Sequence, residues 1–284
     1  MTNAEVLVQT VLIQILLKGR YKGLDIYNST YGNFEADVLA EIRRETYGED
    51  IGQNSWLTAD EYDKFCDWLG IGATSSILEV ASGSGGPALY LAKKFGNTVT
   101  GIDINREGIS AATEAAEKRG ISNASFQLVN VDETLPFADA TFDAIICIDA
   151  ANHFRDRLGV LREWHRVLRP GGRLLFTDPV VITGPISNEE LAARSSIGFF
   201  IFMPPEVTEK FIAEAGFSLL KREDETANIE LTSGRWHAAR ERNSAALMSI
   251  ENESGFNGLQ AFLAAVHKLT SERRLSRFAF LAEK

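Results

Sequence analysis

The sequence is short of several things, and each shortage closes off a class of protein. It holds two cysteines in 284 residues, Cys66 and Cys147. Neither spacing suits a zinc site or a disulfide framework. Cys147 falls in an apolar strand pattern and reads as an inert core residue. Basic residues are also few: 29 Lys and Arg stand against 39 Asp and Glu, a net charge of −10. That argues against a sequence-independent grip on nucleic acid, which relies on cations neutralising phosphates. Nor is any apolar run long enough to cross a bilayer, which takes about 20 residues. The apolar segment 6–17 is broken by Gln9, Thr10 and Gln14. It lacks the basic start and small-residue cleavage site of a signal peptide. No nucleic acid and no membrane are therefore expected as partners, and the expected compartment is the cytoplasm. No metal site is expected either.

What is present is a chain with 45% hydrophobic residues, enough for a sizeable core. It is organised around residues 77–86, ILEVASGSGG. Four residues, Ile77 to Val80, read as a buried strand. Gly83 and Gly85 make a tight turn, where positive φ and close approach of a ligand to the backbone cost least. Pro87 then opens an apolar-periodic helix, as proline does in a first helical turn. The free N–H groups at such a helix start suit an anionic or polar ligand group.

Residues 98–103, TVTGID, form a second strand that ends in Asp103. A carboxylate about 20 residues beyond the glycine turn sits where it can reach ribose hydroxyls. The plainer reading of Asp103 is a cap for the next helix. The pattern points to a nucleoside-containing cofactor. Gly83-x-Gly85-x-x-Ala88 also fits a dinucleotide fingerprint, so an NAD-dependent reductase stands as an alternative. The chain has no Tyr-x-x-x-Lys pair to support it.

Strands are expected near 77–81, 98–102, 125–129, 143–148 and 173–177, and helices near 87–95, 106–119 and 156–168. This alternation predicts a parallel sheet covered on both faces. Before it, Thr58-x-x-Glu61 is a capping-box pattern opening a helix. After it come helices near 189–198 and 206–215, a strand at 217–222, helices at 233–250 and 259–272, and a strand at 275–282.

Four segments taken in order carry a family resemblance. Glu79-x-Ala81-x-Gly83-x-Gly85, with Ala81 where glycine is frequent, resembles motif I of the class I S-adenosylmethionine-dependent methyltransferases. Asn130-Val131-Asp132 resembles the adenine-contacting stretch of that family. Residues 142–147 look like its fourth strand, and Leu168-Arg169-Pro170-Gly171-Gly172 like its turn into the fifth. The resemblance covers residues 77–178 and is nearest to small-molecule N-methyltransferases of the phosphoethanolamine and sarcosine/glycine type. It implies a Rossmann-like α/β fold, seven strands in the order 3-2-1-4-5-7-6. An N-terminal helical cap over 1–70 would precede a methyltransferase domain over 71–284, with a helical insertion at about 227–273.

The resemblance implies S-adenosyl-L-methionine as cofactor and S-adenosyl-L-homocysteine as product. It assigns Glu79, Ala81, Gly83, Gly85, Asp103, Ile104, Val131, Asp132 and Asp149 to cofactor binding. His153 and Asp149 are the candidates for acceptor chemistry, since a histidine accepts a proton near neutral pH; a histidine that only caps or packs is the alternative. Tyr27, Tyr31, Tyr47 and Trp236, with Gln53 and Trp56 in the 47–56 loop, are the candidate acceptor-binding residues. Aromatic faces suit a cationic amine, while aromatics at helical spacing also simply fill cores. The acceptor expected is a small molecule, most readily methylated at an amine nitrogen, with O- or C-methylation of a natural product as the alternative. A homodimer is left open.

Overall fold

The computed structural model describes residues 30, 31, 34 and 36–284; the apolar segment 6–17 and Tyr27 lie outside them. The first helices are α1 (Asp37–Tyr47) and α2 (Ala59–Leu69). The alternating region follows as β1 (Ser76–Val80), α3 (Gly86–Phe95), β2 (Thr98–Asp103), α4 (Arg106–Lys118), β3 (Ala124–Leu128), β4 (Phe142–Cys147), α5 (Arg157–Val167) and β5 (Leu168–Ile182). The chain ends with α6 (Asn188–Arg194), α7 (Val207–Glu214), β6 (Ser218–Asp224), α8 (Thr226–Arg242), α9 (Ser244–Ser271) and β7 (Leu275–Glu283). The seven strands lie in the order β3-β2-β1-β4-β5-β7-β6. The first five are parallel, and β7 runs antiparallel to both β5 and β6. This is the Rossmann-like order that the family resemblance implies.

Successive residues of a strand face opposite sides of a sheet, and the core divides accordingly. Leu78, Val80, Ile145, Leu174 and Phe176 pack with Val160, Leu161 and Trp164 of α5 and Ile212 of α7. Ile77, Ala144, Ile146 and Leu175 pack with Tyr62, Phe65 and Leu69 of α2 and Ala88 and Leu91 of α3. So α2, drawn from the segment before the sheet, belongs to one of its helical layers. A third cluster joins Trp56, Phe200, Ile229, Leu259 and Phe262. A fourth packs Ile42, Val38 and Leu39 of α1 against Ala239 of α8 and Leu247 and Phe256 of α9.

Several local expectations are corrected. The strand expected at 173–177 runs over Leu168–Ile182, because β7 pairs with it as far as Ile182. Residues 169–172 bulge out between two register positions, Phe142↔Leu168 and Ala144↔Arg173. The insertion helices break at Asn243 and kink at Asn252 (φ 59°) rather than across 251–258. The capping box at α2 is half made. Thr58 Oγ1 accepts from the Glu61 N–H at 3.3 Å, but the Glu61 carboxylate turns away to Arg277. Asp103 is not the cap of α4: that cap is Asn105, whose Oδ1 accepts from the Gly108 N–H at 2.8 Å.

Candidate active site

A cavity of about 350 Å³ opens beyond the carboxyl ends of β1, β2 and β4, where ligands enter open α/β sheets. Ala81, Asp103, Ile104, Val131 and Asp132 line one end of it. His153, Arg194, Phe200, Trp236 and Phe262 line the other, with Trp56 and Asp149 also on the wall.

The first end is built by the glycine turn. After β1 the backbone takes positive φ at Ala81 (58°), Gly83 (52°) and Gly85 (76°). The Gly83 N–H donates to Asp103 Oδ2 at 2.8 Å, and the Asn105 N–H donates to Asp103 Oδ1 at 2.7 Å. One carboxylate therefore ties the turn to the end of β2. Burial raises the Asp103 pKa, against the pull of these backbone donors. Gly83 and Gly85 themselves stand behind the wall. A Cβ on Gly85 would come within 2.7 Å of Ala112 Cβ and of the Phe126 ring, so glycine is required there by packing against α4 and β3.

Glu79 also lies behind the wall, on β1, and is 4% exposed. Its Oε2 has no hydrogen-bond partner, and burial pushes its pKa up to about 8. A buried polar atom left unpaired is costly, and this one lies beneath the turn. Ile104, by contrast, is 69% exposed on the cavity wall. Asp132 is exposed too, and its Oδ1 accepts from the Arg155 N–H at 3.0 Å. An unpaired acid, a carboxylate at a strand end and an apolar side chain at the rim fit the three parts of S-adenosylmethionine: its ammonium, its ribose diol and its flat base.

At the other end the turn Ala151–His153 follows β4. His153 Nδ1 lies 2.6 Å from the Phe199 carbonyl oxygen. A carbonyl only accepts, so Nδ1 carries the proton and Nε2 is the basic nitrogen. The ring packs on Phe200 at 4.7 Å between centroids. Burial, opposed by the Phe199 hydrogen bond and helped by the charge of Arg194, pushes the His153 pKa down to about 4. Arg194 is itself buried, with its guanidinium 4.5 Å from the Phe200 ring centre and 4.9 Å from that of Phe262.

Asp149 is held differently from the proton acceptor expected of it. It takes a left-handed backbone (φ 54°). Its Oδ1 accepts from Arg277 Nε at 2.7 Å and Thr177 Oγ1 at 2.8 Å, and its Oδ2 from the Trp56 N–H at 3.0 Å. With its oxygens so occupied, it shapes the wall.

The expected acceptor-binding residues separate. Trp56 and Trp236 line the cavity, edge to face at 5.8 Å. Tyr31 also lines it, but at the cofactor end: a Cβ on Gly83 would meet its hydroxyl at 2.6 Å. Tyr47 is buried behind Trp236, at 6.4 Å, and donates to the Ser55 carbonyl at 2.7 Å. Gln53 is wholly buried and folds its own loop, accepting from the Ile51 N–H and donating to the Glu49 carbonyl. That loop rests on the glycine turn backbone to backbone; a Cβ on Gly86 would fall 2.1 Å from the Gly52 oxygen. Tyr27 lies outside the described residues. Sequence reasoning gave no site role to Arg194, Phe200, Phe262 or Arg277, and read Glu61 only as part of a capping box. Among the described residues no cluster of three or more His, Cys, Asp or Glu is placed to hold a metal ion, and no helix is long and apolar enough to cross a membrane.

The chain matches the methyltransferase domain family over residues 71–234. The methyltransferase GfsG of Streptomyces halstedii is 34% identical over 218 residues, 70% of this chain and 77% of the relative. The 27-O-demethylrifamycin SV methyltransferase of Amycolatopsis mediterranei is 28% identical over 219 residues, 72% of this chain and 79% of the relative. A structure of a putative sarcosine dimethylglycine methyltransferase from Galdieria sulphuraria superimposes with a TM-score of 0.72 at 20% identity, covering 79% of this chain and 83% of that one. At that identity the likeness speaks for the fold alone. The family match, the relatives and the strand order together leave no room for the reductase alternative. The chain belongs to the class I S-adenosylmethionine-dependent methyltransferases and is an enzyme of small-molecule methylation.

Proposed function

We propose that this enzyme places its methyl group on a hydroxyl oxygen of a largely apolar small molecule. The charge at the acceptor end of the cavity is the observation that carries this reading. Arg194 puts a guanidinium in that wall, while the carboxylate of Asp149 is held by Arg277. A protonated amine entering there meets that cation. A hydroxyl, or the oxyanion it becomes, is favoured by the same cation. The rest of that end is apolar: Ile197, Phe200, Leu259, Phe262 and the two tryptophans. The name of the Amycolatopsis relative gives its methyl the same kind of destination, an oxygen. Transfer to an amine, expected from the sequence resemblance, remains the second reading, favoured by the edge-to-face pair Trp56 and Trp236, whose faces suit a cation.

The cofactor supplies an electrophilic methyl on a sulfonium. When bound, it would give that methyl to the acceptor oxygen and keep the electron pair of the broken carbon–sulfur bond on sulfur. The hydroxyl proton goes to His153 Nε2. The Phe199 carbonyl fixes the tautomer that leaves this nitrogen basic. The neighbouring Arg194 disfavours the imidazolium, so the proton must pass on to solvent before the next turnover. Asp103 would hold ribose hydroxyls and Glu79 the ammonium. Ile104 and Val131 would enclose the base, with Asp132 at its edge. The α1 helix, the 48–57 loop and the α8–α9 insertion would cover the acceptor, excluding water and fixing the line of attack.

Labelled cofactor with a panel of phenols, enols, aliphatic alcohols and secondary amines tests the reading. Label transferred to hydroxyl compounds, with amines inert, is expected. Transfer to amines alone overturns it.

A further inference from the structure

We propose that Arg277 is a positioning residue, one that holds the loop bearing Trp56 over the cofactor floor from a strand on the far side of the active-site wall. It rests on the reading of that loop as an acceptor cover, but its test needs no acceptor. Arg277 sits on β7 and is fully buried. Its guanidinium reaches two carboxylates from distant parts of the chain. Nε and Nη2 fork onto Asp149 Oδ1 and Oδ2 at 2.7 and 3.3 Å, and Nη1 donates to Glu61 Oε1 of α2 at 2.6 Å. Its backbone is used as well. The Arg277 carbonyl accepts from the Glu225 N–H at 2.8 Å, and its N–H donates to Thr226 Oγ1 at 3.1 Å, at the start of α8.

Asp149 passes this hold onward. Its left-handed backbone is one that a residue other than glycine keeps only when its surroundings fix it, and the Arg277 fork, with Thr177, is what fixes it. Asp149 Oδ2 then takes the Trp56 N–H, while Asn228 Nδ2 of α8 donates to the Trp56 carbonyl at 3.0 Å. Trp56 is thus clamped by its main chain between the cofactor floor and the insertion, and both jaws lead back to Arg277. A buried ion pair is weak evidence for a role in stability, because an apolar replacement often serves as well. A fork that sets a strained backbone beside a cover loop has a more particular use.

The test is hydrogen exchange with S-adenosylhomocysteine bound. In Arg277→Met, amides of the 53–57 segment should exchange at least tenfold faster, while those of β1 and β4 keep their rates. Arg277→Lys, which keeps the charge but not the fork, should fall between. If Arg277→Met fails to fold with two carboxylates left unbalanced, the triple variant Arg277→Met/Glu61→Gln/Asp149→Asn removes that imbalance and should show the same local loss of protection. Wild-type exchange at 53–57 in a folded variant, or an equal rise throughout the sheet, overturns the proposal.

Discussion

Binding of the cofactor should expel a proton from Glu79. Burial alone holds its pKa at about 8 in the cofactor-free protein, so at pH 7 roughly nine molecules in ten carry the carboxyl proton. Its Oε2 stands without a hydrogen-bond partner. An ammonium brought to that oxygen favours the carboxylate. Ionising the acid at pH 7 costs about 1.4 kcal/mol, the equivalent of one pH unit. A hydrogen bond to a charged group returns about 1.5–3 kcal/mol. The bond wins, and release of roughly half to nine-tenths of a proton per cofactor follows. Calorimetry with S-adenosylhomocysteine at pH 7, in two buffers of different ionisation enthalpy, counts that proton directly. In Glu79→Gln the count should fall to zero. Affinity should fall by no more than about fifteenfold, since the mutant loses the bond but is spared the ionisation. The raised pKa also sets the sign of a stability effect. Glu79 contributes stability below pH 4.5, where both states are protonated, and loses it as pH rises through about 8, because the unfolded chain gives up its proton first. Glu79→Gln should lack that decline. Binding heats of the wild-type protein that do not depend on buffer, or a Gln variant that still releases a proton, would refute the account.

Asp103→Asn should weaken cofactor binding at least tenfold by calorimetry, since it loses a charged acceptor for ribose, while a helix cap remains at Asn105. His153→Ala should lower kcat by roughly 10²-fold, toward the small end for a general base. With the wild-type pKa held at about 4, kcat should stay level from pH 8 to pH 6 on a non-ionising acceptor. The same depressed value gives His153 a stability contribution that is present above pH 6.5 and lost as pH falls through about 4; urea melts across pH 4–7 should show a shallower loss in the alanine variant. Gly86→Ala should destabilise by about 1–3 kcal/mol, the cost of overpacking, and expose the 48–56 loop to limited proteolysis, because the new methyl meets the Gly52 carbonyl.

The sheet was legible because its signals are local. The alternation of short apolar runs with capped helices needs only neighbours in sequence. The spacing from Gly83 to Asp103 reports the geometry of one β–α–β unit, and the two residues are joined by a direct hydrogen bond. The acceptor end was not legible in this way. Arg277 and Glu61 are partners across 216 positions, and Glu61 had a sufficient local explanation as half of a capping box. Phe200 and Phe262 have the same periodicity whether they face a cavity or a core. Arg194 looks like any basic residue in a last helical turn. Tyr47 and Gln53 mislead for the opposite reason: they belong to a loop at the site, but their side chains are spent on folding that loop.

The Trp56 clamp has a consequence for how this enzyme acquires new acceptors. The loop is docked through main-chain groups, the Trp56 N–H and carbonyl, and through the meeting of Gly52 with Gly86. Of its side chains, Trp56 adds to that docking by packing on Phe262 in the third cluster. Substitution at Ile197 or Trp236 across the cavity therefore redraws the acceptor surface without touching those main-chain contacts. Selection has two separable texts to edit: one that shuts the chamber, kept in backbone and glycine, and one that chooses the guest.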